Sequence, residues 1–190
     1  ISLEKLVVRI FLPLALLSTV TLVITLALGL SIDDPKVATK AVQAGVQYHF
    51  LTALSSLCFA TLVHAIVLTY FMGTGRWIEE TSNAYRLPEN FYQRNQQIKY
   101  RTIPAMVFAF LLLLFTGALG AAADPASPMQ SAGWMGLAPS TLHLICAISA
   151  ILINVAVNYL EFQALERNGE IVEQVLNEVR RIRVEKGLAV

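Results

Sequence analysis

Four long apolar runs constrain the fold of this chain more than any other feature. They are residues 6–30, 46–72, 103–122 and 137–160. Each has about 20 residues or more, which as a helix is enough to cross a hydrocarbon layer roughly 30 Å thick. Hydrophobic residues make up 56% of the chain and charged residues only 14%, a charged fraction well below that of soluble domains. The sequence therefore predicts an all-α integral membrane protein, a bundle of four transmembrane helices.

The remaining residues leave room for one loop and one tail on the same side of the membrane. We expect a four-helix membrane domain over residues 1–166, which includes the loop 73–101 between the second and third spans. Residues 167–190 are expected to form an amphipathic tail helix. The loop is expected to hold two short helices broken near Pro88, because proline disfavours helix at the residue before it. No internal repeat is apparent.

Lysine and arginine residues are distributed unequally between the two sides of the membrane that the four spans would cross. Two lie at the start of the first span, five lie in the 73–101 loop and five follow the fourth span, whereas only Lys36 and Lys40 lie on the other side. Because positively charged flanks stay in the cytoplasm, we expect both termini and the 73–101 loop to be cytoplasmic. With no targeting signal apparent, we expect the cytoplasmic membrane of a bacterium.

Motifs that would identify a reaction are missing from the sequence. It contains no Gly-x-Ser-x-Gly and no His-Glu-x-x-His, and Cys58 and Cys146 have no CxxC or Cys/His spacing. We therefore expect no catalytic residues, no metal held by side-chain clusters and no nucleic-acid partner.

The tail and the loop carry apolar residues that must be buried against something. In the tail these residues recur every three or four positions, which is typical of one face of a helix. They could pack within the chain, or they could bind a second copy or another subunit. The residues concerned are Trp77, Tyr85, Tyr92, Ile171, Val175, Val179 and Ile182. Our first hypothesis is a non-catalytic membrane subunit that anchors or organises a larger complex through its loop and tail, with lipid and other protein subunits as partners.

Polar residues at membrane depth fall on one face of the second span and one face of the fourth. Such residues are costly in lipid and often functional, although they also serve as hydrogen bonds between helices. We expect the last of them, Glu161, to reach water or to pair with a loop arginine. The two polar faces consist of His49, Thr52, Ser56 and His64 in the second span, and of His143, Asn154, Asn158 and Glu161 in the fourth.

Two of the histidines could meet across the bundle. His49 and His143 both lie one to two turns from the outer end of their spans, at 5.4 Å per turn. Histidines at matched depth on facing helices are typical axial ligands of a b-type haem. Our second hypothesis is therefore an electron-transfer subunit of a larger enzyme, with haem b near the outer face and a quinone as an exchange partner. His64 lies roughly 22 Å deeper, and a second cofactor site there would need a further ligand. A channel or transporter is the third hypothesis.

Overall fold

Four α-helices make up the computed structural model, which describes residues 3–32, 34, 39–129 and 131–189. The helices are α1 (Leu3–Leu30), α2 (Lys40–Tyr85), α3 (Asn90–Ala123) and α4 (Pro139–Glu185). Within the described ranges the only β-structure is an isolated bridge between Trp134 and Leu137. Lys36, one of the two cations expected on the outer side, lies outside these ranges.

All four helices are long and apolar enough to cross a membrane. Their large apolar side chains point outward: Leu16, Phe50, Phe108 and Leu152 are each more than half exposed. A surface of this kind is stable against lipid rather than water. The expected all-helical fold with four helices able to span a membrane is therefore confirmed, and these helices suggest an integral membrane protein.

The helices run alternately up and down, and each packs against its chain neighbours. α1 lies beside α2 and α4, and α3 also lies beside α2 and α4. No contact joins α1 to α3 among the described residues, whereas α2 and α4 touch each other across the middle of the bundle. The two helices that carry the polar faces therefore form the diagonal of the bundle.

Three of the helices continue well beyond membrane thickness. α2 has 46 residues and α4 has 47, which at about 1.5 Å per residue is roughly 70 Å each. The parts that project, residues 73–85, 90–101 and 162–185, form what we call the charged extension. The tail helix is thus the end of α4 itself, and most of the 73–101 loop is the ends of α2 and α3. The chain reverses at Arg86, which adopts the left-handed conformation, close to the predicted break at Pro88.

The charged extension has its own apolar core. Ile78 of α2 and Ile171 and Val175 of α4 are completely buried there. The stripe of the tail therefore packs on the chain's own loop, which is the first of the two arrangements that the sequence left open. All seven residues expected to form a partner surface belong to this cluster: Trp77, Tyr85, Tyr92, Ile171, Val175, Val179 and Ile182.

Candidate functional site

His49 of α2 and His143 of α4 face each other at the end of the bundle opposite the charged extension. Their ring centroids are 6.1 Å apart and the ring planes are nearly perpendicular, at 79°. The two residues come from the diagonal helices, so the bundle brings them together although 94 positions separate them in the sequence. We call this pair the upper layer.

Each imidazole of the upper layer is held by a backbone carbonyl of the preceding helix. His49 donates from Nδ1 to the carbonyl oxygen of Thr25 in α1, at 3.0 Å. His143 donates from Nδ1 to the carbonyl oxygen of Thr116 in α3, also at 3.0 Å. The two halves of the bundle therefore hold their histidines in the same way.

These hydrogen bonds determine where the protons sit on the rings. A carbonyl oxygen can only accept, so each Nδ1 carries the hydrogen. In a neutral ring the free electron pair is then on Nε2, the nitrogen that binds metal ions when Nδ1 is fixed in this way. Neither Nε2 has a hydrogen-bond partner among the described residues. The upper layer thus presents two oriented nitrogen ligands.

A glycine lies against each imidazole. A Cβ atom added to Gly29 would be 2.8 Å from Cε1 of His49, and one added to Gly120 would be 3.0 Å from Cε1 of His143. The first contact is shorter than real Cβ contacts and the second is tighter than most of them, so a side chain at either position would require the ring to shift. Both glycines are one turn beyond the threonine whose carbonyl holds the same ring.

The matching contacts reflect a short internal repeat that sequence analysis missed. Residues 25–29 and 116–120 share the pattern Thr-x-Ala-Leu-Gly, and Pro13 and Pro104 precede these segments at equal spacing. Residues 49–55 and 143–149 share His-x-x-x-Ala-x-Ser. The α1–α2 and α3–α4 hairpins therefore share a short sequence pattern, and the upper layer lies where the two hairpins meet.

Hydroxyl groups join the helices one level below the upper layer. The hydroxyls of Thr25 and Ser56 are 2.9 Å apart, and that of Thr116 lies 3.1 Å from Sγ of Cys146. Ser56 thus faces the interior as its position on the polar face predicted. Thr52 does not take part, because its hydroxyl donates to the carbonyl of Tyr48 in its own helix.

The third histidine belongs to a separate polar layer nearer the charged extension. Nδ1 of His64 lies 2.7 Å from a carboxylate oxygen of Glu161, and its Nε2 lies 3.1 Å from the amide oxygen of Asn154. His64 is 5% exposed and Glu161 is fully buried. The expectation that Glu161 reaches water or pairs with a loop arginine is therefore wrong, because α4 turns its side chain toward His64 of α2.

Several polar atoms of this second layer are buried without a partner among the described residues. They belong to the two partners of His64 and to two further buried polar residues, one in α1 and one in α4. We call the whole group the lower layer: Ser18, His64, Asn154, Asn158 and Glu161. The atoms concerned are Oγ of Ser18, Nδ2 of Asn154, both amide atoms of Asn158 and Oε2 of Glu161. Buried polar atoms of this kind are usually satisfied by bound water.

The structure thus separates the predicted site residues into two layers and adds four that were not predicted. Thr25, Gly29, Thr116 and Gly120 act through a backbone carbonyl or the lack of a side chain, so residue type alone did not mark them. The described residues contain no group of three or more His, Cys, Asp or Glu able to enclose a metal ion.

Comparisons with known proteins identify no relative of this chain. Neither a family model, nor a curated protein, nor a solved structure matches the chain.

Proposed function

We propose that this chain is a membrane electron-transfer protein that binds one b-type haem between His49 and His143. The observation that carries the proposal is the geometry of the upper layer. Imidazole nitrogens bind metal ions at about 2.0–2.1 Å, so rings on opposite sides of one ion have centroids about 6 Å apart. The separation of the two rings is 6.1 Å.

The number of ligands favours haem over a bare ion. Protein sites for bare transition metals need three or four side chains, and the upper layer offers two. A porphyrin brings four nitrogens of its own and needs only the two axial ligands. Gly29 and Gly120 make room for the two imidazoles that would hold it, because each glycine lies directly against one ring.

Two axial histidines also favour electron transfer over catalysis at the iron. With both axial positions filled by protein, no position is open for a substrate or for oxygen. The surroundings of such a haem then act on its potential through burial and through the hydrogen bonds at Nδ1. A quinone or a partner subunit remains the proposed exchange partner.

The first hypothesis, an anchor that acts through the loop and the tail, has less support. Ile171 and Val175 are completely buried inside the charged extension, and the other five residues expected at a partner surface pack on the same core. We therefore place the function in the membrane part, while membership of a larger complex remains compatible with it.

Haem binding can be tested by absorption spectroscopy. We expect the full chain, purified in mild detergent and supplied with haemin, to show a Soret band with sharp α and β bands on reduction. His49→Ala and His143→Ala should lose the six-coordinate spectrum because each removes one axial nitrogen. His64→Gln, a change to the third histidine, should keep it.

A rescue experiment separates loss of a ligand from loss of the fold. His49→Gly and His143→Gly leave space beside the proposed iron, so added imidazole should restore the spectrum of the wild-type chain. Wild-type protein that stays colourless with haemin while retaining its helical circular dichroism would refute the proposal.

We also propose that both termini and the charged extension face the cytoplasm of a bacterium, which places the upper layer near the outer face. The distribution of lysine and arginine supports this orientation. In a chain whose Cys58 and Cys146 are replaced by serine, Ala126→Cys should react with an impermeant maleimide in whole cells. Glu80→Cys, whose native side chain is 63% exposed, should react only after permeabilisation. The reverse pattern would exclude the orientation.

A further inference from the structure

The lower layer differs from the upper layer because the internal repeat does not extend to it. Counted from each histidine of the upper layer, His64 of α2 corresponds to Asn158 of α4, and Val67 corresponds to Glu161. One half of the bundle thus supplies an imidazole and the other supplies a carboxylate and two amides. His64 lies 15 residues from His49, roughly 22 Å along the helix. The lower layer therefore needs an explanation separate from haem binding.

The contacts of His64 suit an imidazole that carries two protons. Both of its ring nitrogens lie against oxygen atoms, at 2.7 Å for Glu161 and 3.1 Å for Asn154. An imidazolium can donate to both, and its charge is balanced by the carboxylate. The pair then has no net charge, which is the state that a buried site favours.

The same residues can also accommodate an imidazole that has lost one proton. The Nδ2 atom of Asn154 has no partner among the described residues, so turning this amide gives up only the contact of Oδ1 with Nε2 of His64, which loses its hydrogen when that nitrogen is deprotonated. After the turn, Nδ2 would donate to a neutral Nε2. Oε2 of Glu161 also lacks a partner there and is free to carry a proton. A cluster built only as a fixed ion pair would not need these unpaired atoms.

No other ionisable group lies within the lower layer among the described residues. From α1 we assign to it the buried hydroxyl of Ser18. From α3, Met106 and Ala109 belong to the apolar cluster that also contains Val63 and Val67, the residues beside His64 in α2. Lys99 of α3 comes seven residues before Met106, roughly 10 Å further along the helix, and Tyr70 follows His64 by six residues in α2. Arg9 of α1 is exposed. Proton exchange in this layer therefore involves His64 and Glu161 themselves.

We propose that His64 and Glu161 form a proton-binding site within the membrane part, with bound water held by Ser18, Asn154 and Asn158. A proton from water adds to the pair or leaves it, and no other bond forms or breaks. Asn154 adjusts its amide to the protonation state of the imidazole. The site is independent of haem, so it applies even to a chain that binds no cofactor.

The test is to follow both groups in the cofactor-free, full-length chain in lipid nanodiscs. We expect the ¹⁵N signals of His64 to change from the doubly to the singly protonated form as the pH rises over the range in which the protein stays folded. Glu161→Gln should abolish the doubly protonated form, because it removes the balancing charge. Glu170→Gln, a change to an exposed residue of the same helix, should leave the titration unchanged.

Two results would overturn the proposal. One is a set of His64 signals that stays the same at every pH, or that Glu161→Gln does not alter. The other is a response to sodium concentration at fixed pH in place of a response to pH, which would assign the oxygen atoms of the lower layer to a metal cation. Infrared spectra of the carboxyl band, compared between wild type and Glu161→Gln, report the proton on Glu161 directly.

Discussion

Replacing Glu161 with leucine is expected to lower the free energy of unfolding by about 3–5 kcal/mol, the usual cost of removing one partner of a buried pair, because His64 loses both its balancing charge and the hydrogen bond of Nδ1 and must give up a proton. The side chain of Glu161 is fully buried and that of His64 is 6% exposed, so bulk solvent does not compensate for the lost carboxylate. Leucine has a similar volume, and the loss is therefore one of charge balance and hydrogen bonding. Reversible unfolding in mixed detergent micelles measures it.

The double variant His64→Leu/Glu161→Leu separates the pair from its two members. Removing both charges leaves an apolar contact in an apolar bundle, and such replacements are often neutral or stabilising by about 1–4 kcal/mol. We expect the double variant to be more stable than Glu161→Leu alone. Glu170→Leu, on the exposed face of α4, should change stability little. A double variant as unstable as the single one would show that the two side chains are not coupled.

The expected stability of the double variant bears on why His64 and Glu161 are present in the membrane part at all. If an apolar substitute is as stable as the pair, stability is no reason for His64 and Glu161 to be there. Their presence then favours a role in chemistry, which is the proton exchange proposed above. The stability of the double variant therefore tests whether the fold needs the pair, and the titration of His64 tests whether the pair exchanges protons.

The membrane helices could be predicted because hydrocarbon thickness sets the length of an apolar run. The continuation of α2 and α4 into the charged extension could not, since hydropathy falls after residues 72 and 160 although the backbone stays helical. The apolar stripe through Ile171 and Val175 indicated that this face is buried. Its partner, Ile78 in the loop, could not be chosen over a second chain from periodicity alone.

In the candidate site, too, helical spacing predicted which residues share a face but not which residues touch across the bundle. Helical spacing placed His49 and His143 at one depth, and they do face each other. It gave no partner for Glu161, because the approach of α2 to α4 depends on packing across the whole bundle. Thr25 and Thr116 were missed because backbone carbonyls accept hydrogen bonds whatever the side chain. The repeated Thr-x-Ala-Leu-Gly pattern could have identified both residues.

Gly29→Val and Gly120→Val are expected to weaken haem binding by about 10–100-fold, the usual cost of disturbing the groups that orient a metal ligand. A Cβ atom at these positions would lie 2.8 Å from the ring of His49 or 3.0 Å from that of His143. The ring must shift, which disturbs the hydrogen bond from its Nδ1 to the threonine carbonyl. Haemin titration followed at the Soret band measures the affinity.

Gly117→Val is the matched control for this prediction. Gly117 lies in α3 less than one turn from Gly120, and a Cβ atom there would meet nothing within 4 Å. Because valine is a better helix former than glycine, this variant should fold and bind haemin like the wild type. If Gly117→Val weakened binding as much as Gly120→Val, the effect would come from α3 as a whole. If Gly29→Val and Gly120→Val weaken haemin binding equally and Gly117→Val does not, both hairpins orient one shared cofactor.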